Sequence, residues 1–362
     1  MFVAVRCASR DAVRDDSEAC RGPLPATRIE VTRVRDANMH DRSHGAIQAL
    51  EFHPNGQLLM AAALDRRLRF FAADGVANTP VQSLLLDDMP VHTARFASGG
   101  SRVVASGRRR SFYVVDLGAQ RVERVPQLQG CAERSLERFA LPPASGGSAG
   151  QRECIAFLGD EGRVPLVSLQ SRQVVATLRM SGSVRAAAFS EDAVRLYTSG
   201  SDGTVCLWDL RTRRCVERFV DEGCVHSTAL AVSASHLATG SRSGVVNMYS
   251  RTKLGGLGGS ARGPQRAAAA KPMRALTNLV TATDTLTFSP GGEVLCMASR
   301  LKKEALRLVH VPTLTTFANW PTSRSPLQFV HSACFSPGGG LLAIGNARGH
   351  VLMYRLHHFA TV

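Results

Sequence analysis

The residues that could do chemistry are few, and their spacing argues against catalysis. Gly256–Ala261, GLGGSA, spells the G-x-G-x-x-A of a dinucleotide loop. Such a loop needs a strand before it and a helix opening from it, so that backbone N–H groups face a pyrophosphate. Here it sits inside LGGLGGSARGPQRAAAAKP, the composition of a flexible insertion placed at 252–271. No H-E-x-x-H occurs, and the 11 histidines stand singly apart from His357-His358. Asp221-Glu222 could be read as an acid–base pair, but neighbouring residues at a strand end point to opposite faces. The nine cysteines show no C-x-x-C spacing, and several lie in apolar runs such as VCLW and LCMAS. They read as free thiols packed as small hydrophobes, without a zinc site or disulfide framework, in a reducing compartment. No cofactor, metal or small-molecule substrate is expected, nor an enzyme.

Charge is the more informative signal. Forty-four Lys and Arg against 29 Asp and Glu give a net charge of +15, which suits polyanionic or acidic partners or reflects an Arg-rich composition. No apolar run approaches the roughly 18 residues of a membrane span, so no membrane partner is expected.

The elements that carry these charges are short apolar segments separated by Gly, Pro, Ser and Asn turns. The chain reads as all-β. The clearest unit, 183–220, parses as four strands: VRAAAFS, VRLYTSG, TVCLWDL and CVERFV. Asp202-Gly203 supplies a tight hairpin, and Trp208-Asp209 ends the third strand, the mark of a WD40 blade. The Gly-His that usually precedes such a blade is missing here. The same frame recurs at 47–75, 91–117, 136–169, 224–250, 283–311 and 330–356. Phe52-His53-Pro54, Phe288-Ser289-Pro290 and Phe335-Ser336-Pro337 repeat one phrase, with Phe96 and Phe189 in the same place without the proline. Seven copies predict a seven-bladed WD40-type β-propeller spanning 27–362, behind a leader at 1–26. The last copy has only three strands, so TRIEVTRVRDAN (27–38) is predicted to supply its fourth and close the ring.

In such a ring the turns between second and third strands share one face. That face collects Arg66, Arg67, Arg108, Arg109, Arg110, Arg163, Arg242, Lys302, Lys303 and Arg348, with Asp65, Asp160, Glu161, Asp202 and Glu304 among them. It is expected to meet RNA phosphates or an acidic partner segment, centred on Arg108–Arg110. The alternative is that these are solvated turn residues. Aromatics are 6 % of the chain, too few for base stacking beyond the core, so RNA contact would be backbone-directed. Arg211, Arg213 and Arg214 fall on the opposite face and read as solvated.

Several phrases are not general WD40 spelling: RRCVERFVDEG (213–223), GVVNMY (244–249), KPMRALTNLVTATDTLTFSP (271–290), ALRLVHVPTLTTFANWP (305–321) and GHVLMYRLHHF (349–359). They resemble the U3 small nucleolar RNA-associated protein 18 family, WD-repeat subunits of the small-subunit processome. The resemblance implies a nucleolar scaffold acting in pre-18S rRNA processing. It also implies other processome propellers as partners, with U3 small nucleolar RNA or pre-rRNA touched through the backbone. The family carries a long charged N-terminal extension that helps recruit the exosome's helicase, and residues 1–26 do not resemble it. A rival reading is the substrate-recognition propeller of a ubiquitin ligase. Trp208-Asp209-Leu210-Arg211 matches the W-D-x-R phrase of such proteins, a pattern common at this strand end.

Overall fold

The computed structural model describes residues 24–131, 133–143, 153–254, 268–322 and 325–359. The repeated phrase explains how each blade begins. Its Phe closes the inner strand and is buried at Phe52, Phe96, Phe189 and Phe335. The next four residues form one turn three times over: Gly56, Gly292 and Gly339 each donate a backbone bond of 2.8 Å to His53, Ser289 and Ser336. All three glycines hold φ between +70° and +78°, a region open to glycine at little cost. The Ser Oγ of the phrase also accepts the N–H that opens the second strand, Val294 at 3.0 Å and Leu341 at 3.0 Å. Short polar side chains are placed here because they satisfy backbone donors that the turn would strand.

Seven sheets result, each with at least four strands. The first blade runs Ile47–Phe52, Leu58–Ala63, Arg67–Ala72 and Pro80–Leu85. The second runs Thr93–Ala97, Arg102–Ser106, Phe112–Asp116 and Arg121–Val125. The third has the short pair Phe139–Ala140 and Cys154–Phe157 before Arg163–Ser168 and Val174–Arg179. The fourth, Val184–Phe189, Arg195–Gly200, Thr204–Asp209 and Arg214–Asp221, is the unit first legible in the sequence. The fifth and sixth begin at Ser227 and Thr285. The seventh has Val330–Phe335, Leu341–Asn346 and Val351–Leu356.

The cores lie between blades, not within them. Seven clusters of buried side chains fill the seven blade-to-blade interfaces. Each blade therefore buries both faces, which accounts for middle strands as apolar as Leu58–Ala63 and Leu341–Asn346. The insertion after the fifth blade's third strand has its residues 255–267, and with them GLGGSA, outside the described residues. Its last part, Ala268–Ala270, pairs in parallel with Phe219–Asp221 as a fifth strand on the fourth blade. That outer edge would otherwise present unpaired backbone groups to solvent.

Closure follows the predicted route. Val31–Arg33 pairs antiparallel with Leu356, Arg355 and Tyr354. The chain then stays zipped to the last blade: Val34 N–H donates to Met353 O at 3.0 Å and Ala37 N–H to Val351 O at 2.9 Å. The fully buried Asn38 accepts from Val351 N–H at 2.9 Å and donates to Gly349 O. Leu24 and Ile29 are buried with Trp320, Leu327 and Tyr354 between the last two blades. Ile29→Ala should cost about 2–5 kcal/mol and Asn38→Ala about 1–3 kcal/mol. Thr32→Ala, which loses only a surface contact to His357, should cost under about 0.5 kcal/mol. Urea unfolding would read all three, and equal midpoints would show that closure is not where the stability lies.

Candidate nucleic-acid interface

The WD motif of the fourth blade is structural in each part. Trp208 Nε1 donates to Thr198 Oγ1 at 2.9 Å, tying the third strand to the second. Asp202 folds its carboxylate onto the N–H and hydroxyl of Thr204 at 3.1 and 2.8 Å. Gly203 completes that turn at φ +76°. Asp209 accepts from Arg211 N–H at 2.8 Å and Thr212 Oγ1 at 3.1 Å. The Arg211 N–H, first, and the Thr212 groups hold its carboxyl below the usual range. Asp221, set aside as an acid–base candidate, is a buried anchor. It accepts from Thr239 Oγ1 and Asn247 Nδ2, both at 2.7 Å, and from Tyr249 OH, all on the next blade.

The basic residues divide by what holds them. Arg66 sits at φ +65° and donates to Asp87 O at 2.9 Å, which bends its guanidinium along the face. Arg108 meets Glu137 at 3.1 Å while remaining 71 % exposed. Arg163 pairs with Glu161 at 3.0 Å. The turn bearing Arg109 and Arg110 is braced where Leu136 N–H donates to Arg109 O at 2.9 Å. Lys303 lies over the Phe329 ring at 5.8 Å. Beside Lys302 and Lys303 opens a cavity of about 310 Å³, bounded by Asn278–Thr281 and Pro321. Arg66, Arg67, Arg109, Arg110, Arg242, Lys302, Lys303 and Arg348 are all exposed, and none has a carboxylate within ion-pair distance among the described residues. The strand order places all of them at one end of the sheets.

Three residues of this face escape a reading of turn composition. Arg138 donates to Arg185 O at 3.3 Å across the third and fourth blades, and Arg300 pairs with Asp284 at 3.3 Å. His92 lies 3.4 Å from Glu137. Burial foremost, then the guanidinium groups of Arg108, Arg138 and Arg300, push His92 below its ordinary value against the pull of Glu137. Burial and Arg300 do the same to His331, which meets Gln48 at 3.3 Å. One arginine in the sixth blade thus acts on histidines in the second and seventh. Arg69 was equally hidden. It is only 1 % exposed, and it joins Asp65 at 2.7 Å, Asp41 at 3.0 Å and Ser43 Oγ at 3.1 Å, pinning the closing segment to the first blade.

The opposite face carries Arg211 and Arg213 at the edge of a cavity between the second and fourth blades. Among the described residues no three His, Cys, Asp or Glu side chains converge as metal ligands. Gly146–Gly150 spells G-x-S-x-G and lies outside the described residues.

These features define a WD40-repeat β-propeller, and residues 38–71 and 172–209 match the WD domain, G-beta repeat family. The similarity is narrower than that. The chain is 41 % identical over 338 residues to the U3 small nucleolar RNA-associated protein 18 homolog of Arabidopsis thaliana, covering 93 % of this chain and 59 % of that protein. It is 34 % identical to the Homo sapiens homolog over 341 residues, covering 93 % and 58 %. It is 32 % identical to U3 small nucleolar RNA-associated protein 18 of Saccharomyces cerevisiae over 377 residues, covering 93 % and 62 %. The similarity to that family therefore runs through the whole propeller, while the chain spans about three-fifths of the length of these relatives.

The histidines set a pH dependence. His92, His236, His310 and His331 are all lowered from 6.5, with burial the first cause. As pH falls through 6.5 the unfolded chain takes up protons before the folded one, so stability is intact above 6.5 and declines below it. The thermal midpoint should drop between about pH 7.5 and about pH 5.5. His92→Gln with His331→Gln should flatten that slope, and an unchanged slope in the double variant would place the effect elsewhere.

Proposed function

We propose that this chain is a non-catalytic WD40 scaffold of the nucleolar small-subunit processome, acting in pre-18S rRNA processing. The observation that carries the reading is the row of eight exposed bases without carboxylate partners at one end of a rigid ring, in a chain similar throughout its propeller to proteins named for U3 small nucleolar RNA. Bases left without an internal partner retain their full attraction for an external anion. Exposed guanidinium and ammonium groups spread over several blades suit a curved phosphate backbone better than a single carboxylate. Exposed aromatic platforms are scarce here, so RNA would be held by backbone and shape. Protein neighbours, other propellers of the same particle, would take the remaining surface. The nucleolus is the compartment this role implies. The ubiquitin-ligase reading has only the W-D-L-R phrase behind it.

Arg108→Ala, Arg109→Ala and Arg110→Ala together remove three bases from one turn of this face. Binding to a U3 RNA fragment should weaken, and the slope of log affinity against log salt should fall by about two to three. Tagged full-length chain from nuclear extract should co-purify processome proteins with U3 and precursor 18S RNA, less so for the triple variant. An unchanged salt slope would remove the arginines from the RNA interface, and recovery of a cullin adaptor in place of processome proteins would reinstate the rival.

A further inference from the structure

The third blade begins on a short inner strand. Its inner strand, Phe139–Ala140, is the shortest inner strand of the seven and pairs only with Phe157 and Ala156. The next residues are Leu141, Pro142 and Pro143. Two prolines offer no N–H to a ladder, so the strand cannot continue beside Cys154. On either side the neighbouring inner strands do continue, to Ala97 and to Phe189.

A cavity of about 590 Å³ opens beside the end of this strand, on the face opposite Arg108–Arg110. Phe96, Leu141, Leu166, Phe189 and Leu210 are among its walls. Its edge is cationic. Arg211 and Arg213 are exposed, and neither has a carboxylate within ion-pair distance among the described residues. Arg213 Nη1 donates to Val175 O at 3.4 Å on the third blade, and the backbone N–H of Arg211 donates to Asp209 at 2.8 Å. Among the described residues of the rim the one acid, Glu153, is already engaged by the Ser98 hydroxyl.

We propose that this cavity binds a short segment of a partner protein, seating an apolar side chain between Phe96 and Phe189 with a carboxylate of the same segment against Arg211 and Arg213. The volume is that of a ligand pocket, and an apolar floor with convergent charge at the edge is the build of an anchor site. A nucleic-acid backbone would waste the floor, since phosphates gain nothing from aliphatic walls. A basic segment would meet two exposed guanidinium groups. The site is independent of the RNA face, so loss of RNA binding there leaves this proposal standing.

The test uses the full chain and a defined panel: fluorescein-labelled octapeptides holding one Leu or Phe flanked by Asp and Glu, and the same octapeptides with Lys in place of each acid. Fluorescence polarisation should detect the acidic set alone. Arg211→Glu with Arg213→Glu should weaken that binding at least about tenfold, and Leu141→Trp should abolish it by filling the floor, with thermal midpoints confirming folded protein. Three results would overturn the proposal: no binding by any acidic octapeptide to the native chain, equal binding by the Lys set, or binding retained in both folded variants. An oligouridine that displaces the acidic set and still binds Leu141→Trp would assign the two arginines to RNA instead.

Discussion

Every blade here is a sheet with two apolar faces, and no such sheet is stable alone. The closure of the ring is therefore the constraint on which the rest depends. The C-terminal blade holds three strands of its own, and its outer edge is covered by Val31–Arg33 from the other end of the chain. Asn38 then secures the joint by matching two backbone groups of the last blade inside the core. Side-chain amides suit this task because one group both donates and accepts. With the ring closed, seven interfaces are filled and each turn is held at a fixed place on a face.

Polar groups inside the ring serve the same end. Arg69 and Asp221 are buried charges, each surrounded by partners that come from outside its own strand. Such groups cost much when unpaired and lock geometry when paired. Arg69 ties the closing segment to the first blade, and Asp221 ties the fourth blade to the fifth. Together they do what a histidine-centred network would do in a blade of more regular spelling, which this chain lacks in its clearest repeat.

The net charge of +15 is not spread evenly in its effect. Acids such as Glu137, Asp284 and Glu161 are each spent on a neighbouring base. What remains uncompensated is a set of turn residues on one face, where burial first and then nearby guanidinium groups hold His92 and His331 below their ordinary value. The other face carries a smaller excess at Arg211 and Arg213, beside an apolar floor. The two faces thus offer different chemistry to different partners.

The sequence by itself determined the number of blades, the placement of the turns and the strand that closes the ring. These depend on local patterns: a period of two along each strand, a glycine where φ must be positive, and Trp208-Asp209 at a strand end. It also determined which face is basic, because topology alone sends alternate turns to opposite ends. Only the tertiary structure decided which bases are free. Arg108 and Arg163 meet acids, whereas Arg109, Arg110 and Arg348 do not, and those pairings join residues far apart in the chain or hinge on side-chain geometry. Arg69 reads as one more exposed basic residue until Asp41 and Asp65 are seen around it. Arg138 and Arg300 likewise gain meaning only from their partners, Arg185 O and Asp284. The cavity beside Arg211 and Arg213 could not be read at all, since its walls come from three blades that are far apart in the chain.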